Sequence, residues 1–186
     1  MSAPTPATLH VDRHCLIVLE RVLLAAAPQE GCALLLGRNA DSALLLERIW
    51  PCCNSWEPAI ERQRRFLIDP REQLLAQRWA RERDALVLGA AHSHPSSAAI
   101  PSARDLSLCC GPTLMLIRSG LHAADSTRQP QPDRDLIQPL RAWWLPEQAG
   151  WADDRGSGQG ADQAVPRPQE LEIALDRPPR TGHLGE

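Results

Sequence analysis

The stretch GAAHSHPSSAAIPSARD, residues 89–105, decides how this chain is read. An apolar run, ALVLGAA at 85–91, ends on two histidines one residue apart, and a proline follows at once. In an extended segment, side chains two apart point to the same side, so His92 and His94 can aim two ring nitrogens at one point while Ser93 points away. A zinc ion that activates water needs three protein ligands and an open position, and neutral imidazole and carboxylate are ligands of suitable hardness. His92, His94 and Asp105 supply such a set. Ser102 and Asp105 are also spaced as a helix-capping pair, a reading that by itself requires no metal. Beside two converging histidines, a first helical turn becomes a rigid mount for Asp105 as third ligand and holds Ser102 near the open position.

Upstream of the motif, RHCLIVLERVLLAAA (13–27) carries Leu16, Leu19, Leu23 and Leu24 at helical spacing and stops at Pro28, which predicts an amphipathic helix. GCALLLG (31–37) and SALLLERIW (42–50) are short apolar runs separated by polar residues and read as a hairpin. PCCNSWEPAIERQ (51–63), with two prolines and no period, reads as a loop. RRFLID (64–69) reads as a strand entering a helix at 70–84, with Asp69 as N-cap, Pro70 in the first position and Glu72 completing a capping box. That helix is expected to bury Leu75 and Trp79. TLMLIR (113–118) and LRAWWL (140–145) complete the expected sheet. Strands alternating with helices predict an α/β (α+β) domain, a mixed central sheet flanked by helices, over 13–146. Residues 1–12 read as an N-terminal extension. The last forty residues hold six of the eleven glycines, and 147–186 read as a disordered tail in which only LEIAL (171–175) could dock.

Composition narrows the class of function. The chain of 186 residues is 43% hydrophobic with a net charge of -3, ordinary values for a globular protein. Its basic residues are all arginine, and because acidic residues outnumber them, 23 to 20, a nucleic-acid partner is not expected. No apolar run reaches the roughly 18 to 20 residues of a membrane span, and the N-terminus lacks the pattern of a signal peptide. The expectation is a cytoplasmic protein without a membrane partner. Its six cysteines form no C-x-x-C knuckle and read as buried or incidental thiols. His10, His14, His122 and His183 lie outside the motif. Glu30, just before GCALLLG, is a candidate base at the entrance to a strand, although a glutamate in a turn is usually only solvated.

Glu30-Gly31 with the run behind it, followed by HSHPSSAAIPSARD, resembles the JAMM (MPN+) metallopeptidase family, whose signature is a glutamate, then H-S/T-H-P, then a serine and an aspartate at this interval. RRFLIDPREQ resembles the bacterial branch, and the likeness spans roughly 13–145. The resemblance implies that His92, His94 and Asp105 bind one zinc ion, that Glu30 is general acid and base, and that Ser102 stabilises the oxyanion. It also implies hydrolysis of an amide bond after the C-terminal Gly-Gly of a ubiquitin-like protein or of a sulfur-carrier protein, the latter releasing cysteine. With only six residues between Pro95 and Ser102, a sulfur-carrier or similar partner is favoured over ubiquitin chains. Ala33 stands where relatives commonly carry glycine. The alternatives are a RadC-like DNA-associated protein, which has a related H-x-H-P element, and a non-catalytic binding module that keeps zinc for structure. A zinc deaminase would need H-x-E and P-C-x-x-C, and neither occurs.

Overall fold

Asp12 marks where the first strand turns into the first helix, because its carboxylate accepts the Cys15 N–H at 2.7 Å and so caps the helix. The structure, a computed structural model, describes residues 5–107, 109, 111–121, 131–146 and 167–176. In chain order the elements are β1 (Thr8–Asp12), α1 (Arg13–Ala25), β2 (Cys32–Ala40), β3 (Ala43–Cys52), α2 (Pro70–Arg81), β4 (Leu86–His94), α3 (Ala103–Ser107), β5 (Thr113–Ser119), α4 (Pro132–Ile137), β6 (Leu140–Leu145) and β7 (Gln169–Asp176). The strands close into a barrel in the order β1-β3-β2-β4-β5-β6-β7. The sheet is mixed: β4 and β5 run parallel, as β1 does with both of its neighbours, and the other pairs are antiparallel.

Alternation along the strands separates two faces. Ala33 and Leu35 of β2, Leu44 and Leu46 of β3 and Leu114 and Leu116 of β5 pack with Leu16, Leu19 and Leu23 of α1 in one cluster, which fills the inner face. Each buried leucine contributes about 1.5–3 kcal/mol. Leu34 and Leu36 point the other way and meet Ala76 and Ala80 of α2. Burial on both sides explains the unbroken apolar run of β2. The expected hairpin forms between β2 and β3, with Asp41 at its turn in the left-handed region (φ 48°).

Several expectations are corrected. Residues 8–12 are not an extension: they form β1, and Leu9 and Val11 lie in the core. LEIAL does dock, as most of β7, with Leu171 buried; 147–166 and 177–186, the rest of the expected tail, lie outside the described residues. RRFLID is not a strand. It runs beside 54–55 and is fastened there: Asn54 donates to the Arg65 carbonyl (2.8 Å) and accepts from Leu67 N–H (3.2 Å), and Ser55 Oγ donates to the Leu67 carbonyl (2.9 Å). The loop at 51–63 begins only after β3 ends at Cys52, and it contains a 3-10 turn, Ala59–Gln63. In α2 the buried residues are Ala76 and Ala80, whereas Leu75 is 54% exposed. Alanines let the helix lie close on β2, and Trp79 packs at its margin edge-on to Trp50. Leu24 of α1 is likewise exposed. Asp69 caps α2 through Arg71 N–H, but Glu72 completes no capping box; its carboxylate accepts the Trp50 indole N–H at 2.9 Å. Among the described residues no helix is long and apolar enough to cross a membrane.

Candidate metal centre

Strand β4 does not stop before the histidines but carries both, so the two-residue period sets their rings on one side. Their Nε2 atoms are 3.0 Å apart. Asp105, at the start of α3, places Oδ1 3.5 Å from His92 Nε2 and Oδ2 3.7 Å from His94 Nε2. All three residues are buried. Donors around a tetrahedral zinc at roughly 2.0–2.1 Å stand about 3.3 Å from each other, which is the scale of this cluster. His94 Nδ1 donates to the Ala98 carbonyl at 2.8 Å, which leaves the Nε2 of the neutral ring with a free lone pair directed at the cluster. The donor set therefore fits a single divalent ion of the zinc type, as the residues of the motif predict. The buried His92-His94-Asp105 group could hold a metal ion.

His92 is held differently from His94. Its Nδ1 is buried and has no hydrogen-bond partner among the described residues. Its ring lies instead against Phe66, stacked with centroids 4.4 Å apart at 21°. Phe66 is the chain's one phenylalanine, and the sequence reading placed it in a strand rather than at the site. Nothing in its sequence neighbourhood marks it, since the stack depends on the Asn54 tether that brings 65–67 across.

Glu30 reaches the same cleft through a set of backbone ties. Its N–H donates to the Arg62 carbonyl (2.7 Å), and its carbonyl accepts from Asn54 (3.0 Å). Next to it, Gly31 N–H donates to Ser93 Oγ (2.9 Å) and the Gly31 carbonyl accepts Ser93 N–H (3.0 Å). Ser93 points away from the histidines, as expected, yet it is the rivet between β4 and the Glu30 turn. Gly31 is required here, because a Cβ would stand 2.6 Å from the Leu23 carbonyl oxygen of α1.

Ser102 and Asp105 satisfy both readings of their spacing. Ser102 N–H donates to Asp105 Oδ2 (2.6 Å) and Asp105 N–H donates to Ser102 Oγ (3.1 Å), a reciprocal cap. The Ser102 hydroxyl lies beside the Asp105 carboxylate and lines the cleft.

Charge distribution follows from this packing. Burial pushes the Glu30 carboxyl up to about 7, opposed by His94 and reinforced by Asp105. Burial also raises Asp105, but its hydrogen bonds with His92 and His94 outweigh that and hold it well below the usual carboxylate range. His92 is pushed down by burial. In His94 burial acts in the same direction, but the Asp105 carboxylate and the Ala98 carbonyl raise it overall. The cleft has a volume of about 370 Å³ and is bordered by Glu30, His94, Ser102 and Asp105. A second groove of about 560 Å³, more apolar, meets it at Phe66 and Asp105. Cys15, Cys32, Cys52 and Cys53 are free thiols outside the donor cluster, Cys109 also lies outside it, and Cys110 lies outside the described residues. His10 pairs with Asp176 on the surface; His122 and His183 lie outside the described residues.

A mixed sheet with a His-His-Asp donor set at a strand end and a buried glutamate facing it defines a JAMM/MPN-like domain. The chain belongs to the family of prokaryotic homologs of the JAB domain, whose model matches residues 14–145. That family is related to the JAMM hydrolases and also includes non-catalytic members. Comparison with curated proteins gave no match. Among solved structures, a solution structure of a protein from Desulfitobacterium hafniense is similar in fold, with a TM-score of 0.65, 23% identity, and coverage of 96% of this chain and 100% of that one.

Proposed function

We propose that the protein is a zinc-dependent peptidase that hydrolyses the amide bond after the C-terminal Gly-Gly of a ubiquitin-like or sulfur-carrier protein. The observation that carries this reading is the convergence of a three-residue donor set, a buried glutamate and a serine hydroxyl on one cleft. His92, His94 and Asp105 would hold the ion, which when bound acidifies water to a pKa near about 7 and polarises a carbonyl oxygen. Glu30 takes a proton from the attacking water and passes it to the departing amine nitrogen. A carboxyl pushed up to about 7 is suited to both halves of that transfer. Ser102, whose hydroxyl lines the cleft, donates to the oxygen on which negative charge develops. Water is divided across the scissile bond, hydroxyl to carbon and hydrogen to nitrogen, and no covalent enzyme intermediate is needed.

The apolar groove beside the cleft supports an extended substrate tail poor in side chains. Gly89 and Ala90 of β4 line part of it, and over that part little projects against an extended peptide whose glycines pass close to the donor set. The short loop between Pro95 and Ser102 offers little surface for a second folded ubiquitin and supports a compact carrier instead. The test is zinc-loaded full-length protein incubated with a ubiquitin-like domain ending in Gly-Gly followed by further residues. Mass spectrometry is expected to find cleavage after the second glycine, abolished by chelation and restored by zinc. A loaded protein inert on every such fusion would belong with the non-catalytic members of its family.

A further inference from the structure

Glu30 precedes β2 and His92 lies on β4, yet one segment, 54–67, braces both. Glu30 is tied to that segment at each of its backbone groups: its N–H donates to the Arg62 carbonyl (2.7 Å), and its carbonyl accepts from Asn54 Nδ2 (3.0 Å). His92 is braced by the ring of Phe66, stacked at 4.4 Å. The helix that carries Asp105 touches the segment too, because Arg104 lies over the Trp56 ring, 4.2 Å from its centre. A base and a metal ligand that the sheet holds apart therefore share one support.

Asn54 joins the parts of that support. A side-chain amide has two N–H donors and an oxygen with two lone pairs, and Asn54 uses all four. Its Nδ2 donates to the Glu30 carbonyl and to the Arg65 carbonyl (2.8 Å), while its Oδ1 accepts Trp56 N–H (3.0 Å) and Leu67 N–H (3.2 Å). Every partner is a backbone group, so the amide fixes the course of the chain rather than a rotamer. One nitrogen thereby sets the separation between Glu30 and the residue just before Phe66. A role in loop closure alone does not account for this arrangement. Ser55 already closes the loop, since its N–H and its Oγ both donate to the Leu67 carbonyl at 2.9 Å, and closure needs no bond to Glu30. Asn54 is also only half-buried and stands outside the inner leucine cluster, so water can replace it without a cavity in the core. We propose that Asn54 is a positioning residue that holds Glu30 and His92 in register, acting on the first through its carbonyl and on the second through Phe66. The consequence for rate rests on the hydrolase reading above; the consequence for metal binding does not.

The experiment is Asn54→Ala in the full-length chain, read in three ways. In the metal-free protein, amide hydrogen exchange followed by NMR is expected to show loss of protection at Glu30 and Leu67, with Gly31, which Ser93 holds, unchanged. The zinc Kd is expected to weaken by about tenfold or more, the scale for losing a group that orients a ligand. In a Phe66→Ala background the same substitution is expected to weaken zinc no further, because two residues that act through one contact are not additive. At saturating zinc, kcat on a Gly-Gly fusion is expected to fall by up to about 10²-fold, the scale of an ångström-level misplacement, and to fall little further when Glu30→Gln is already present. Unchanged protection at Glu30, an unchanged zinc Kd, or full additivity with Phe66→Ala would each overturn the proposal. If the wild type cleaves no such fusion, the hydrolase reading fails, and exchange and zinc binding still decide the role of Asn54. Should Asn54→Ala lose cooperative unfolding, Asn54→Asp, which keeps the two acceptor bonds and removes both donors, is read by the same exchange and additivity criteria. It is expected to free Glu30 N–H while Leu67 stays protected. Loss of cooperative unfolding in both variants would also overturn the proposal, since Asn54 would then be part of the fold and not of the site.

Discussion

Where β1 meets β7, the barrel is closed by a parallel ladder from Thr8–Glu172 to Asp12–Asp176, with Leu9, Val11 and Leu171 buried beneath it. Its one polar cross-link, His10 to Asp176 at 3.0 Å, is on the surface, where such pairs contribute little. Where β4 meets α3 the materials are reversed: Glu30, His92, His94 and Asp105 are buried polar groups, each costly to remove from water unless it is paired. They are held by a ring stack, a serine rivet and a reciprocal cap rather than by apolar burial. The seam and the inner leucines supply stability, and the candidate metal centre draws on it to keep ionisable groups buried. Damage at the seam should therefore unfold the protein without touching its chemistry, and damage at the centre should change metal binding or rate without unfolding it.

The most severe test of that division is truncation after residue 166. Deletion of β7 removes Leu171 from the core and leaves one edge of β1 and one edge of β6 without a neighbour, so cooperative thermal unfolding, followed by circular dichroism, is expected to be lost. The sequence alone reads this segment as part of a disordered tail in which LEIAL could dock, and a truncated protein with an unchanged Tm would restore the view of it as a tail. At the centre, His92→Ala is expected to lose stoichiometric zinc by elemental analysis while retaining the fold. Full zinc occupancy in that variant would place the ion on other residues.

Smaller effects sharpen the comparison within the site. Glu30→Gln is expected to keep zinc and lower kcat by about 10²–10⁴-fold, the range for a lost acid-base group. Near-normal turnover would remove Glu30 from the mechanism. Phe66→Ala should leave the fold in place and weaken zinc affinity by about 10–100-fold, as loss of a group that orients a ligand does. An unchanged zinc Kd would mean that strand geometry alone aligns His92. The smallest effect is a pH dependence in the metal-free protein. Burial raises Glu30 from its ordinary 4.5 to about 7, so the folded state binds more protons than the unfolded state between those values. Its contribution is fully present below about 4.5 and is lost as pH rises towards 7. Relative to wild type, Glu30→Gln should therefore gain Tm as pH rises from 5 to 8, and a constant difference in Tm would show that Glu30 is not buried as a charge.

The donor set was legible because each of its signals is local. The spacing of His92 and His94 acts through the strand period, and that of Ser102 and Asp105 through the first turn of a helix; neither depends on distant partners. Phe66, Ser93 and Asn54 were illegible as site residues for the opposite reason. Asn54 fastens 65–67 beside itself by side-chain bonds that leave no periodic trace, and Phe66 reaches His92 only once that has happened.

By itself the sequence determined the hairpin of β2 and β3, the leucine face of α1, the capped start of α2, and the residues able to hold a metal. All of these follow from short-range periodicity and steric preference, which a segment carries wherever it is placed. Only the tertiary structure decided that the sheet closes. The ladder between β1 and β7 joins segments from opposite ends of the chain, and each is too short to announce itself before the other is present. Tertiary packing also chose the face of α2, because Leu34 and Leu36 of β2 pack with Ala76 and Ala80 and leave Leu75 outside, a choice that depends on the surface opposite the helix and not on the helix itself.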